Sequence, residues 1–464
     1  MEVRDNITFD EIFETEIVDK KILLLQPNCD LHNQLRFDRR TKTTSVQTYE
    51  DLDRIKNTYW DYVISHAFFT RTPRTVGQFT FERFQENNIS CDTLVVDELG
   101  EGQSITDDVI FTFDDWKLAE YLKPNKIKWL APFEDYSKLE ERYPNIEFFK
   151  SKFTGPRFFC AKTYQIIHGN KKEENGKVVW ESGNMYGNHL VAGLEWKPEL
   201  KDKLFMCLNN EVRPHRTLMV HYLMQENLLN EGYVSYVKYE KENIEELHEE
   251  GIGIVRVEPP KGEMDYIKVD TKKMLLPWEK EFNEATSGEG NRFGIQTEVS
   301  EKSYIDVVTE STTGYWPFKT EKCMKPFYNL QFPIIYGHSG IIQDLRDIGF
   351  DMFDDIINHD YDIVEESSTL SSFEYTRELF QKTAWIDNIR IPKLTKELKR
   401  LSTLDIKKLY EDNKDRFIKN QELVWDLTIK NNKLLYEIGD FVFGDSIKYY
   451  DTDYSQYKKI YLNK

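Results

Sequence analysis

Short β-rich runs alternate with polar, helix-prone stretches along the chain, and this alternation constrains the fold more than any other feature of the sequence. In the first half, runs such as KILLL, YVIS and TLVV are aliphatic or aromatic, and polar or turn-forming residues follow each of them. Strands that alternate with helices favour parallel sheets joined by crossover helices. We therefore predict an α/β fold, with first-half strands at 21–25, 62–65, 93–96, 127–130 and 146–149.

A polar interruption divides this pattern in two. Residues 168–200 are rich in Gly and Asn around a short VVW run, which is typical of a hairpin followed by a linker. The alternation then starts again. The predicted second-half strands lie at 204–208, 233–237, 305–309 and 332–336, and the predicted helices at 214–225, 244–250, 321–330 and 340–348.

The last part of the chain has a helical pattern. Residues 373–440 are charged, and apolar residues recur at helical spacing, as at Leu394, Leu398, Leu401 and Leu404. We expect two or three long helices in this region.

These patterns, with a length of 464 residues, predict more than one domain. The predicted organisation is α/β, with two Rossmann-like domains and a helical C-terminal extension. The predicted boundaries are 1–197, 198–372 and 373–464.

Composition narrows the class of protein. The chain carries 62 Lys and Arg against 81 Asp and Glu, and this net charge of −19 repels polyanions such as nucleic acids on average. Five cysteines without a CxxC pair fit reduced thiols in a cytosol better than disulfides or a zinc site. The acidic start, and the lack of any run of about 18 apolar residues, predict a cytoplasmic protein without a membrane anchor.

The first candidate site is the segment LNNEVRPHR, residues 208–216. A buried strand ends here, and a helix is predicted from Pro214, since proline suits the first helical turn and keeps the preceding residue extended. Arg213 and Arg216 would flank a helix N-terminus that favours anions, and guanidinium groups bind phosphate through paired hydrogen bonds. The segment is a candidate diphosphate site. The alternative is a solvated basic helix start.

The second candidate site lies within 305–326. A buried strand delivers Glu310 to its carboxyl end, where open α/β sheets place ligand contacts. Thr320 suits an N-cap, and Lys322 and Lys325 would project from one face of the following helix. The carboxylate would bridge ribose hydroxyls while the lysines bind phosphates. The alternative is a surface ion-pair patch on a capped helix.

A third segment, 332–362, combines an apolar strand, a Gly-His turn, a helix and the run LRDIGF. Gly337 would allow the backbone to approach a ligand closely. His338 would contact a sugar or base, although a lone His after a strand is more often structural.

Together these motifs carry a resemblance to a known class of enzyme. Residues 208–362, and 305–362 above all, resemble the donor-binding core of GT-B glycosyltransferases related to the α-1,3-fucosyltransferase and exostosin-like families, especially versions from phages and large viruses. The shared features are an acidic residue after a buried strand, TEK, a Pro-bearing helix, the strand PIIYG, and LRDIGF followed by YD. The first half matches no family that we can name, so fucose is not implied.

The resemblance implies transfer of a sugar from a nucleotide-sugar donor, in the host cytoplasm if the protein is viral. By that similarity, Glu310 and Lys322 would bind the ribose and phosphate of the donor, and Arg213 and Arg216 its diphosphate. The nucleotide sugar would be a co-substrate, and no other cofactor is expected.

A catalytic base and a metal site are harder to place. An inverting GT-B enzyme takes its base from the N-terminal domain. His66, after YVIS, and Glu98, after TLVV, are the candidates, although a residue in such a place is more often part of a loop or a helix cap. The DxD pair that begins at Asp360 lies in the segment that the resemblance explains, and the pair that begins at Asp451 lies in a polar tail. We therefore expect no metal ion at the donor diphosphate.

The acceptor stays open between a glycan, a protein side chain and a modified base in viral DNA. A DNA acceptor would be marked by a basic stripe in the first domain. The arginines available for it, which otherwise suit ordinary surface, are Arg36, Arg39, Arg40, Arg71 and Arg74. A second class of function is a non-catalytic structural or interaction protein with a transferase-like fold, because fold alone does not establish activity.

Overall fold

The structure of the chain is a computed structural model. It describes residues 14–25, 41–46, 49–66, 82–97, 122–130, 137–149, 170–174, 177–181, 196–209, 213–236, 252–257, 265–270, 297–310, 313, 319–363 and 377–450.

These residues form two compact units. Unit 2 is Lys172–Asp426, and unit 1 takes the described residues before and after it. Residues 377–450, which fall within the predicted C-terminal extension, are thus divided between the two units.

Unit 1 is built on a six-stranded parallel sheet with the strand order β3-β2-β4-β5-β6-β7. The strands are β2 (Lys21–Leu24), β3 (Lys42–Ser45), β4 (Tyr59–His66), β5 (Ser90–Asp97), β6 (Lys126–Leu130) and β7 (Ile146–Phe149). Short helices precede β4, β5 and β7: α1 (Tyr49–Arg54), α2 (Glu82–Glu86) and α3 (Ser137–Arg142). All five strands predicted for the first half are confirmed.

The last described residues of the chain contribute to the core of unit 1. Strand β1 (Glu14–Ile17) pairs antiparallel with β16 (Ile447–Tyr450), which follows the long helix α10 (Lys414–Phe443). A buried apolar cluster joins the sheet to α10 and β16. Its members include Ile22, Leu24, Ile64, Val95, Ile438, Val442 and Ile447.

A lysine fixes the C-terminal end of α10 to the sheet. The Nζ atom of Lys128, on β6, donates to the carbonyls of Phe441 and Val442. A cation is favoured at a helix C-terminus, where carbonyl groups lack partners within the helix.

Unit 2 contains a four-stranded parallel sheet with the order β11-β10-β14-β15. Its strands are β10 (Lys203–Asn209), β11 (Gly232–Tyr236), β14 (Ser303–Thr309) and β15 (Phe332–Tyr336). Helix α4 (Pro214–Gln225) connects β10 to β11, and the chain then returns to place β14 on the other side of β10. The four predicted strands and the helix at 214–225 are confirmed.

Two further strand pairs belong to the described residues: β8 (Asn170–Glu174) with β9 (Lys177–Glu181), and β12 (Ile252–Val257) with β13 (Asp265–Asp270). The predicted VVW strand forms part of β9. The predicted helix at 244–250 lies outside the described residues.

The helix predicted at 321–330 is divided into a 3-10 turn, Glu321–Met324, and α6 (Lys325–Tyr328). The physical reason is Pro326, which has no N–H group to donate to the carbonyl four residues earlier. The Lys322 carbonyl instead accepts from the backbone N–H of Lys325.

The remaining helices of unit 2 are α5 (Thr297–Lys302), α7 (Ile341–Ile348), α8 (Arg377–Leu401) and α9 (Ile406–Asp412), together with the first part of α10. Helix α8 packs against α4 and β12. Leu394, Leu398 and Leu401 are buried as their spacing predicts, whereas Leu404 is exposed because α8 ends before it.

The two sheets have the same internal topology. In each, the second strand lies on one side of the first, and the later strands lie on the other side. The protein is therefore a mixed α/β chain with two parallel sheets, compatible with a two-domain Rossmann-like arrangement.

Candidate functional site

The strand order of the unit 2 sheet reverses between β10 and β14. In open parallel sheets, ligands bind beside such a reversal, at the carboxyl ends of the strands. Asn209 ends β10 and Thr309 ends β14, and the Thr309 hydroxyl donates to Asn209 Oδ1 over 2.7 Å. Three chain segments meet at this edge: the start of α4, the residues after β14, and the turn after β15.

The start of α4 contacts the residue that follows β14. Arg213 is the N-cap and is extended, with φ −136° and ψ 149°, as its place before proline predicts. Nε2 of His215 lies 2.9 Å from the Glu310 carbonyl oxygen. Burial, followed by the charge of Arg216, lowers the pKa of His215 to about 3. The imidazole is therefore neutral at physiological pH and donates its Nε2 proton to the carbonyl.

Arg216 is turned into the protein. Its side chain is buried, and its Nη2 atom lies 3.3 Å from the carbonyl oxygen of Thr309 and 3.4 Å from that of Glu310. The guanidinium group thus holds the carbonyl end of β14, and its predicted contact with a diphosphate stays a prediction. Arg213, in contrast, is only half-buried at the helix start.

Glu310 organises the segment that contains the predicted phosphate-binding lysines. The residue is 0% exposed. Its Oε1 accepts from the backbone N–H of Thr320 over 3.0 Å, and its Oε2 accepts from the Thr320 hydroxyl over 2.6 Å. The Thr320 oxygen in turn accepts from the backbone N–H of Lys322 at 3.2 Å and lies 3.3 Å from Lys322 Nζ. Thr320 is thus the N-cap that the sequence predicts.

The structure therefore brings four of the predicted site residues into one connected group at the carboxyl edge: Arg216, Glu310, Thr320 and Lys322. Lys325 acts on a group in the interior of the sheet. Its charge acts on Asp306, in the middle of β14, where burial raises the carboxyl pKa to about 7 and Lys325 opposes that rise.

A second polar group lies beside the first, and sequence reasoning singled out only its His338, whose predicted contact with a sugar or base stays a prediction. Lys319 Nζ and His338 Nε2 contact the same Oδ2 atom of Asp344, at 2.5 Å and 3.0 Å. Burial alone would raise the pKa of Asp344, but the bonds from His338 and Lys319 outweigh it and lower the pKa to about 2. The carboxylate thus joins the start of α7 to the turn after β15 and to residue 319. An acidic residue in the first turn of a predicted helix was the only local signal of it.

Gly337 permits a close approach, but to the protein's own side chains. A Cβ atom at this position would lie 2.7 Å from Cδ1 of Ile341 and 3.2 Å from Cγ of Glu310. The glycine lets the turn after β15 pack directly on the buried glutamate. Its predicted role towards a ligand stays a prediction.

Of the two proposed bases, His66 lies in the described part of the chain and belongs to unit 1. His66 is the last residue of β4 and is paired in register with Asp97, the last residue of β5. This places His66 at the carboxyl edge of the six-stranded sheet, on the strand where the order reverses beside β2. Several other predicted residues lie outside the described part of the chain: Glu98, Asp451, Arg36, Arg39, Arg40, Arg71 and Arg74.

Two kinds of feature are absent from the described residues. Within them, no three His, Cys, Asp or Glu side chains are grouped in a way that would hold a metal ion. No helix in the same residues combines the length and the apolar character that crossing a bilayer requires.

Comparison with known proteins adds no assignment. The chain has no match among models of protein families, curated proteins or solved structures.

Proposed function

We propose that the protein is a glycosyltransferase of the GT-B type, which binds the nucleotide part of a nucleotide-sugar donor at the reversal point of the unit 2 sheet. The observation that carries the proposal is the convergence of Arg216, Glu310, Thr320 and Lys322 on the carboxyl ends of β10 and β14. This edge is where parallel α/β sheets bind nucleotides.

A nucleotide-sugar donor requires an anion site for its diphosphate, beside a fixed carboxylate for its ribose. The start of α4 supplies backbone N–H groups, and Arg213 and Lys322 supply positive charge for a diphosphate. The acceptor hydroxyl attacks C1 of the sugar, the bond from C1 to the phosphate oxygen breaks, and a base takes the hydroxyl proton. His66 and Glu98 remain the proposed bases, and no metal is required in this proposal.

Nucleoside diphosphates and nucleotide sugars should raise the melting temperature of the purified protein. A ligand that binds only the folded state at 100 times its Kd adds about 2.7 kcal/mol to the free energy of unfolding. Nucleoside monophosphates, which lack the second phosphate, should give a smaller shift. Mass spectrometry of the molecule retained on the protein would then identify the donor. The absence of a shift with every nucleotide would favour the non-catalytic alternative.

Substitution of Lys322 by alanine should weaken binding of the stabilising nucleoside diphosphate by roughly tenfold or more, because a charge-assisted phosphate contact is lost. The melting temperature of the free protein should change little, since Lys322 is only half-buried. Isothermal titration calorimetry measures the affinity. Lys396→Ala, an exposed lysine on α8, is the matched control and should bind normally. Arg216→Ala is a poorer test, because its buried guanidinium group also holds β14.

Equal affinity in the wild-type protein and in Lys322→Ala would show that the donor site is misplaced.

Once the donor is identified, transfer of a labelled sugar from it would identify the acceptor. The acceptors to compare are glycans, proteins and DNA that carries the modified bases of viruses.

A further inference from the structure

Helix α8 buries two opposite charges, one turn apart, beside the carboxyl edge of the unit 2 sheet. Arg390 is 0% exposed and Asp387 is 2% exposed. The sequence predicts only a helix packed over the rest of the chain here, and neither residue belongs to the proposed nucleotide contacts.

Arg390 holds the backbone that follows β15. Its guanidinium group donates to the carbonyl oxygens of Gly337 at 2.8 Å and Tyr361 at 2.9 Å. It also lies 3.2 Å from Oδ1 of Asp362. The same group stacks on the ring of Tyr336, 4.6 Å from its centroid.

Asp387 holds the end of β15 and the residues after β14. Its Oδ1 accepts from the Tyr336 hydroxyl over 2.5 Å, and its Oδ2 accepts from the Thr313 hydroxyl over 3.2 Å. Thr313 lies three residues after Glu310, so this bond attaches the chain to α8 soon after the buried glutamate.

The contacts continue from α8 into the candidate site. Asp362, held by Arg390, accepts through Oδ2 from the backbone N–H of Ile342 over 3.0 Å, at the start of α7. Helix α7 carries Asp344, whose carboxylate holds Lys319 and His338. One turn of α8 is therefore connected to the segments after β14 and β15 and to residue 319.

Two buried charges are a costly way to attach a helix, because well-packed apolar side chains stabilise a core as well or better. Buried polar networks do, however, fix one arrangement of the groups that they join. We propose that Asp387 and Arg390 are positioning residues, which hold the residues after β14 and β15 in the geometry that binds the donor nucleotide. We call these two residues and their hydrogen bonds the clamp. Their effect on nucleotide affinity rests on the proposed function. Their effect on the segments does not.

The test compares two carboxyl-to-amide substitutions on the same helix. Asp387→Asn changes the clamp, and Glu397→Gln changes a buried carboxylate that instead accepts from the backbone N–H of Asn358 over 2.9 Å. Hydrogen exchange of the full chain, resolved into short overlapping peptides, is the first readout. In Asp387→Asn, Tyr336 and Thr313 lose their carboxylate acceptor, and the connected contacts of Glu310 and Asp362 should loosen. Exchange at Thr320 and Ile342, whose amides donate to these two carboxylates, should therefore be about tenfold faster. In Glu397→Gln, the faster exchange should be confined to the peptide that contains Asn358.

The second readout is the Kd of the nucleoside diphosphate that stabilises the wild-type protein best. Asp387→Asn should raise this Kd about tenfold, and Glu397→Gln should leave it within twofold of the wild-type value. Tyr336→Phe removes one hydroxyl from the clamp and should change both readouts in the same direction as Asp387→Asn. It replaces Asp387→Asn if that variant does not fold.

The outcomes separate the two proposals. A wild-type protein that binds no nucleotide overturns the proposed function, while the exchange rates still decide the clamp. Exchange at Thr320 and Ile342 that is as slow in Asp387→Asn as in Glu397→Gln overturns the clamp, whatever the nucleotide affinity.

Discussion

Replacement of Arg390 by methionine should lower the free energy of unfolding by about 3–5 kcal/mol, because it removes one partner from a buried ion pair. Asp362 would keep a buried carboxylate without its cation, and the carbonyls of Gly337 and Tyr361 would lose their donor. Urea unfolding at neutral pH, followed by the change in midpoint at constant slope, measures the loss.

Lys408→Met, on α9, is the control for a pair that is open to solvent. Lys408 pairs with Asp412 over 3.2 Å, and the two side chains are 70% and 58% exposed. Pairs that are open to solvent contribute at most about 1 kcal/mol. Similar losses in the two variants would contradict the view that Arg390 is held as a buried charge.

Replacement of Asp306 by asparagine should stabilise the protein above neutral pH. Asp306 is buried in the middle of β14, and its Oδ2 atom has no hydrogen-bond partner in the described part of the chain. Burial raises the carboxyl pKa from 3.8 to about 7. At 1.36 kcal/mol per pKa unit, the ionised form costs the folded state up to about 4 kcal/mol. The buried amide has its own desolvation cost, so we expect a net gain of about 1–3 kcal/mol at pH 8.

The pH dependence identifies the cause. The pKa of Asp306 is higher in the folded state than in the unfolded state, so the folded state binds this proton more tightly. The contribution of the protonated carboxyl to the free energy of unfolding is therefore fully present below pH 4. It is lost as the pH rises to about 7. The advantage of Asp306→Asn over the wild-type protein should therefore grow across this range. Asp347→Asn, an exposed residue on α7, should change the free energy of unfolding by less than about 0.5 kcal/mol. A constant difference between Asp306→Asn and wild type from pH 4 to pH 8 would exclude this explanation.

Local sequence signals predicted most of the elements that shape the candidate site. Apolar runs predicted β10, β14 and β15, and Pro214 predicted both the start of α4 and the extended backbone of Arg213. The N-cap at Thr320 was also predicted, since its side chain reaches a backbone N–H only two residues away. These features depend on neighbours in the chain, which periodicity and capping rules describe.

Contacts between distant residues were not predictable in the same way. Lys319 and Asp344 are 25 residues apart, and Tyr336 and Asp387 are 51 residues apart. Nothing in the local pattern at either end selects the partner. Arg216 is another example. Its place at a helix N-terminus predicts an exposed guanidinium group that binds an anion, but in the structure the group is buried against two carbonyl oxygens at the end of β14.

The pairing of β1 with β16 has a consequence for how the protein is made. The sheet of unit 1 is translated early, but Ile438, Val442 and Ile447, which cover its apolar face, leave the ribosome only after unit 2. Until then Ile22, Ile64 and Val95 lack the cover that the three later residues provide, and exposed apolar surfaces favour aggregation and chaperone binding in nascent chains. Nascent chains that stop before residue 436 should therefore be retained by chaperones, and their release should require the emergence of β16 from the ribosome.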